Sequence, residues 1–396
     1  MTLTLDAAKT PATAVSAEPI EHPGLEGVVA AATKLSRVDG AAGRLTLAGY
    51  AVENLAPHAS FEEVVHLLWR GHLPTAAELA HLKQALAERR ELPAATVELL
   101  RAAAAAGLPA MDALRMAAGT LTLAPRLAAA PDDLEEAALT AVAAFPGLVG
   151  AYWRLRHGQE PVTPPAKLGL AAAYLFQLTG EEPAPATARA LETYLNTVSD
   201  HGFNASTFTA RVITSTGSDL VSALTGAIGA LKGPLHGGAP GPALDMVFEI
   251  GTPERAEEVL RTKLDRGERL MGFGHRVYRV RDPRADVLAE AARRFYAKEG
   301  DAELYDLARH VEAAALRLLR ERKPDRKLDT NVEFYTALVL HGIGLDTDLF
   351  TPTFAVGRVA GWIAHALEQR AEGRLIRPSS KYVGPEGRSW VPVGER

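Results

Sequence analysis

The 396-residue sequence has no cysteine, which excludes disulfides, thiolate zinc sites, iron–sulfur clusters and a cysteine nucleophile at once. A reducing compartment suits such a chain, and a cytoplasmic location is expected. Basic charge is not in excess, because 43 Lys+Arg stand against 48 Asp+Glu for a formal net charge of -5. No general polyanion such as nucleic acid is therefore expected as a partner. Residues 1–22 carry Asp6, Lys9 and Pro11 and lack an early basic cluster, so they do not resemble a secretory signal and are expected to be a disordered tail. The most apolar later stretch, Ala137 to Trp153, is interrupted by Pro146, Gly147 and Gly150 and is shorter than the ~20 apolar residues that span a bilayer. No membrane span is expected.

Several chemical signatures are also missing. There is no G-x-S-x-G for a serine hydrolase elbow and no G-x-x-x-x-G-K-[ST] for a nucleotide phosphate. No His-x-x-x-His spacing appears, and without cysteine the histidines are not expected to hold a metal.

The composition is 47% hydrophobic and 23% charged. Over this length it can bury a large core, and two domains are expected. Alanine and leucine dominate, and apolar residues recur at three- and four-residue steps, as in the stripe Leu304, Leu307, Val311, Ala315 and Leu318. Ser60 with Glu63 and Thr75 with Glu78 fit the capping box. Thr252-Pro253 and Asp282-Pro283 place a capping side chain before a proline at a helix start. Only Arg44 to Tyr50 alternates like a strand. The fold class is mainly α.

Four segments combine glycine with histidine or clustered charge: Asp200-His201-Gly202, Gly233-Pro234-Leu235-His236-Gly237-Gly238, Met271-Gly272-Phe273-Gly274-His275-Arg276 and Asn331-Val332-Glu333-Phe334. Glycine beside histidine lets backbone N–H groups approach a ligand closely. His72, His157 and His341 also have glycine neighbours, and these are expected on the surface or in the core. Arg358 sits in the apolar run Phe354 to Trp362, where a guanidinium needs an anion, either an internal carboxylate or a ligand.

Taken together, Leu231 to Ala239, Gly272 to Tyr278, Asp282-Pro283-Arg284 and Asn331 to Tyr335 resemble the citrate synthase family in order and separation. The resemblance runs from about Gly24 to Gly384. It implies a helical homodimer with residues 1–22 as a tail, 23–234 and 340–396 as a large domain, and 235–339 as a small domain closing over the site. It implies condensation of acetyl-CoA with oxaloacetate, both substrates, with no cofactor. On that resemblance His236 holds the thioester oxygen, Glu333 removes a methyl proton and His275 polarises the ketone. His201, Arg284 and Arg358 match oxaloacetate-binding residues, and Arg377 matches an arginine supplied by the neighbouring subunit. Leu270, Met271, Gly272, Phe273 and Gly274 resemble the adenine cradle of CoA, with Arg279 as a phosphate contact assisted by Arg276 and Arg281.

The chain departs from the family's pattern at two places. Glu333 stands where aspartate is usual, which moves the carboxylate by ~1.5 Å on a fixed backbone. Pro240 replaces a common asparagine after Gly-Gly-Ala, so the turn after His236 is expected to differ. The rival readings are a 2-methylcitrate synthase using propionyl-CoA and a weakly active or non-catalytic dicarboxylate-binding paralog.

Overall fold

The computed structural model describes residues 21–237, 240–275, 277–299 and 301–396. The disordered tail expected at residues 1–22 lies almost wholly outside them, as does Arg276. The described residues hold seventeen α-helices and one three-stranded antiparallel sheet, so the chain is mainly α, as its periodicity predicts. Two units are distinguished: Thr33–Ile376, which carries every α-helix, and the two ends, Met1–Ala32 with Arg377–Arg396. The described part of the end unit holds only two 3₁₀ turns, Pro23–Leu25 and Val393–Glu395.

The helix starts follow local chemistry. Ser60 and Thr75 each accept the backbone N–H of the glutamate three residues on, and that glutamate reaches back to the cap, completing both capping boxes. Asp282 caps the helix Pro283–Tyr296, whose first residue has no N–H to leave unpaired. Pro240 likewise opens the helix Pro240–Ile250. In the stripe of the helix Ala302–Arg322, Leu307, Val311, Ala315 and Leu318 are buried, each contributing ~1–3 kcal/mol by leaving water.

Two expectations need correction. Pro146, Gly147 and Gly150 do not break their segment, because one helix runs through them from Leu134 to Arg156. That helix is long and apolar enough to cross a membrane, yet 78% of its most apolar window is buried inside the protein. A Cβ on Gly150 would lie 2.9 Å from the Gln177 carbonyl oxygen, so the glycines permit close helix packing. The strand expected over Arg44 to Tyr50 is two strands, β2 Arg44–Leu47 and β3 Tyr50–Ala51, and β1 Ser36–Asp39 was not anticipated. Val38 pairs with Leu45 and Thr46 with Ala51. With only four residues, β1 is too short for alternation to announce it.

The helix Phe350–Glu372 runs through the core with Trp362 fully buried. Gly357 and Gly361 bring it against the helix Pro185–Val198 and the chain just after it. A Cβ on Gly361 would lie 2.2 Å from the Ser199 carbonyl oxygen, and one on Gly357 would lie 3.1 Å from that of Leu195. This approach places Arg358 beside the end of the neighbouring helix.

Candidate active site

One cavity of about 340 Å³ is lined by His201, His236, His275, Arg284, Glu333 and Arg358, together with Tyr194, Asn204, Leu235 and Phe354. The six come from segments more than 150 residues apart, and the fold brings them together. Arg377 belongs to the end unit and is exposed.

His275 has its tautomer set by the backbone. The N–H groups of Val277 and Tyr278 donate to its Nδ1 over 2.9 and 3.1 Å, so the single proton of the neutral ring sits on Nε2. Burial, and then the Arg284 cation, push its pKa down to about 4, which keeps the ring neutral at pH 7. Nη2 of Arg284 lies 3.3 Å from that Nε2, so two donors face each other. An oxygen acceptor placed between them would satisfy both.

His236 Nε2 lies 2.8 Å from the Ser206 hydroxyl, which also accepts from the Trp362 indole N–H at 3.0 Å. Ser206 stands in the first turn of the helix Ala205–Ser215, capped by Asn204. Burial, with Arg358 nearby, pushes the His236 pKa down to about 4, so this imidazole is neutral too. His201 meets the Tyr278 hydroxyl at 3.1 Å. Enclosure by protein, then Arg284 and Arg358, hold it well below the usual histidine range.

The two arginines differ. Arg284 is buried and forked against Asp282, with Nε 3.0 Å from Oδ1 and Nη2 2.8 Å from Oδ2, so an internal carboxylate neutralises it. Arg358 is buried, donates Nε–H to the Val198 carbonyl at 2.6 Å and lies over the Phe354 ring. No carboxylate among the described residues pairs with it within 4.0 Å, and burial pushes its pKa down to about 10. Its remaining donors face the cavity, which marks an anion-binding position.

Glu333 lies in the first turn of the helix Val332–Gly342, whose cap Asn331 accepts the Glu333 N–H at 2.9 Å. Burial raises its pKa, partly offset by Arg284. A carboxylate whose pKa is lifted toward neutrality accepts protons better.

The segment Leu270 to Gly274 is tied to the stretch just before that helix. Gly274 N–H donates to the Asp329 carbonyl at 2.7 Å, and Asn331 N–H donates to the Gly272 carbonyl at 3.0 Å. Gly272 has φ +85°, and a Cβ there would lie 2.9 Å from the Phe334 side chain, so only glycine fits. Leu270 is buried, Met271 and Phe273 are half-buried, and Arg279 is exposed with its N–H bonded to the Gly40 carbonyl. Arg281, expected to assist at the phosphates, already has internal partners. It pairs with Asp286 and with the buried Glu312 at 2.8 Å, leaving it committed to structure.

Sequence reasoning assigned no role to Ser206, Tyr278 or the Asp282 carboxylate that grips Arg284. Asp282 was legible as a helix cap. Ser206 had no signal, because its contact with His236 spans thirty residues of chain.

The family model described as "Citrate synthase, C-terminal domain" matches residues 24–379. The chain is 44% identical over 375 residues to "Citrate synthase 2" of Bacillus subtilis (strain 168), covering 94% of this chain and 98% of that one. It is 40% identical over 376 residues to the 2-methylcitrate synthase of Shewanella oneidensis, covering 94% and 97%. The crystal structure of citrate synthase from Pyrobaculum aerophilum superposes with a TM-score of 0.85 at 36% identity, covering 98% of this chain and 100% of that one. The citrate synthase of Thermoplasma acidophilum, solved as a ternary complex with carboxymethyl coenzyme A and oxaloacetate, superposes with a TM-score of 0.81 at 30% identity, covering 94% of this chain and 99% of that one.

Proposed function

This chain belongs to the citrate synthase family, and we propose that it condenses acetyl-CoA with oxaloacetate and water to give citrate and CoA. The observation that carries this reading is the cavity itself. Two neutral imidazoles, a half-buried carboxylate with a raised pKa and a buried arginine that pairs with no carboxylate among the described residues all line one space.

In the proposed reaction the Glu333 carboxylate takes a proton from the acyl methyl group while His236 donates an N–H to the thioester oxygen, so the enol forms without a free carbanion. Ser206 Oγ lies 2.8 Å from both Asn204 Oδ1 and His236 Nε2; with its one hydroxyl proton turned to Nε2, the ring proton of His236 sits on Nδ1 and is donated to that oxygen. The enol carbon then bonds to the ketone carbon of oxaloacetate as the C=O π bond breaks, and the oxygen takes the Nε2 proton of His275 to become the alcohol; the proton held by Glu333 restores that ring through solvent. Arg284 and Arg358 hold the dicarboxylate with His201. Water finally cleaves the citryl-CoA thioester, releasing CoA.

The segment 235–339 is proposed as the smaller, moving domain, since it carries His236, His275, Arg284 and Glu333 while His201 and Arg358 lie outside it. The loop Leu270 to Gly274 and Arg279 are proposed to hold CoA. A homodimer in which Arg377 reaches the neighbouring subunit's site, and a cytoplasmic location, belong to the same reading.

Acetyl-CoA is preferred over propionyl-CoA as the substrate, although one extra methyl changes binding by only ~1–3 kcal/mol. The test is release of free CoA thiol from purified protein with oxaloacetate and each acyl-CoA in turn. A higher kcat/KM for acetyl-CoA supports the assignment. A higher value for propionyl-CoA moves it to 2-methylcitrate synthase, and oxaloacetate binding without release of any CoA rejects catalysis.

A further inference from the structure

Well away in sequence from the cavity residues, a short loop joins the helix Phe61–Arg70 to the helix Ala76–Ala87. It gathers His66, His72 and Glu78, whose ligand-capable atoms all lie within 4.8 Å of one another. The His66 ring is buried, that of His72 is exposed, and the two stand edge to face at 5.0 Å.

The hydrogen bonds around these groups are arranged as a metal's outer shell requires. His66 Nδ1 lies 3.0 Å from the His72 carbonyl, and His72 Nδ1 lies 3.1 Å from the Leu73 carbonyl. A carbonyl only accepts, so each Nδ1 carries its ring's proton and each Nε2 keeps a free lone pair. Glu78 Oε2 is occupied by the Thr75 N–H and hydroxyl, both at 2.8 Å. Its other oxygen, Oε1, lies 4.0 Å from His66 Nε2. Arg70, on the rim, is paired with Glu135.

We propose that His66 Nε2, His72 Nε2 and Glu78 Oε1 form a binding site for one divalent cation of the zinc class, separate from the catalytic cavity. Two imidazole nitrogens and a carboxylate oxygen are a zinc donor set, whereas calcium and magnesium take oxygen ligands. Metal–ligand bonds of about 2.0–2.1 Å set tetrahedral ligand atoms about 3.4 Å apart. A turn of the Glu78 side chain closes its 4.0 Å gap to His66 Nε2, and the exposed His72 side chain turns in to meet both. His81, one turn after Glu78, lines the same hollow of about 310 Å³ and can supply the fourth ligand. The ion ties both helix ends to the loop, so its effect is on stability and not on condensation.

The test uses tag-free, chelator-stripped, full-length protein titrated with Zn²⁺ by calorimetry and with Co²⁺ by visible absorption. One equivalent should bind with the intense Co²⁺ bands of a four-coordinate site, and Tm should rise with added Zn²⁺. His72→Ala and Glu78→Gln should each weaken binding more than about tenfold, the loss that outer-shell changes alone can produce. His72 is exposed, so its variant tests the site without disturbing the core. A His275→Ala variant separates this site from the cavity histidines and should bind Zn²⁺ as the parent does. Absence of a saturable equivalent, or unchanged affinity in His72→Ala, overturns the proposal.

Discussion

Replacing Arg358 with methionine should stabilise the ligand-free protein and cripple dicarboxylate binding in the same molecule. Burial pushes the Arg358 pKa down to about 10, and the fall from the ordinary arginine value corresponds to a cost of about 3 kcal/mol for keeping the cation there. The sign is that of a base with a depressed folded-state pKa. The cost is present at every pH below that value and fades only as pH rises through about 10. Methionine removes the charge while keeping an apolar stem of similar length. It also loses the 2.6 Å bond to the Val198 carbonyl, worth about 1 kcal/mol. The net gain is about 2 kcal/mol, or about 2 °C in Tm for a chain of this size. Against a ligand carboxylate, the loss of two charge-assisted hydrogen bonds at about 1.5–3 kcal/mol each weakens binding by about a hundredfold to ten-thousandfold. Thermal melting with and without oxaloacetate, and calorimetric titration, read both effects. A variant that melts several degrees lower, or that binds oxaloacetate within tenfold of the parent, would refute the reasoning.

Glu333→Gln should abolish CoA release, by about 10²-fold or more, while oxaloacetate affinity changes little. Parental turnover in that variant removes the assigned base. Because burial raises the Glu333 pKa and only the ionised form accepts a proton, kcat/KM should fall on the acid side at a pH above the ordinary glutamate range. An acid limb at or below that range counts against it. Ser206→Ala should lower kcat about tenfold to a hundredfold with oxaloacetate affinity preserved, since it frees His236 without touching the arginines; unchanged kcat shows that the hydroxyl does not set the ring. Arg377→Ala should weaken oxaloacetate binding, and mixing it with an Arg358→Ala variant under subunit exchange should restore some intact sites. No recovery after verified exchange argues against a shared site.

The helical class was legible because alanine- and leucine-rich periodicity and the caps at Ser60, Thr75 and Asp282 act within a few residues. β1 was not, being four residues long. Pro146 misled because a local rule about proline was applied where packing on all sides of the helix Leu134–Arg156 prevails. At the cavity, the glycine-flanked histidines and the arginine in an apolar run stood out as chemistry that the local sequence did not need. What could not be read were contacts between distant segments: Ser206 with His236, Arg281 with Glu312, and the meeting of His66, His72 and Glu78, whose spacing follows no regular helical step. The state of Arg284 was equally hidden, since only coordinates reveal that Asp282 both caps a helix and neutralises it.

Asn331 makes three bonds at once: its N–H to the Gly272 carbonyl, its Nδ2 to the Gly274 carbonyl at 2.8 Å, and its Oδ1 from the Glu333 N–H. The loop leading into His275 and the turn bearing Glu333 are thereby fastened into one piece. In the proposed closure of residues 235–339, the proton acceptor and the ketone-polarising ring would travel together, and their distances to Arg358 and His201, which lie outside that segment, would change. A substitution at this one asparagine would loosen the coupling between two chemical steps while leaving every reacting group intact.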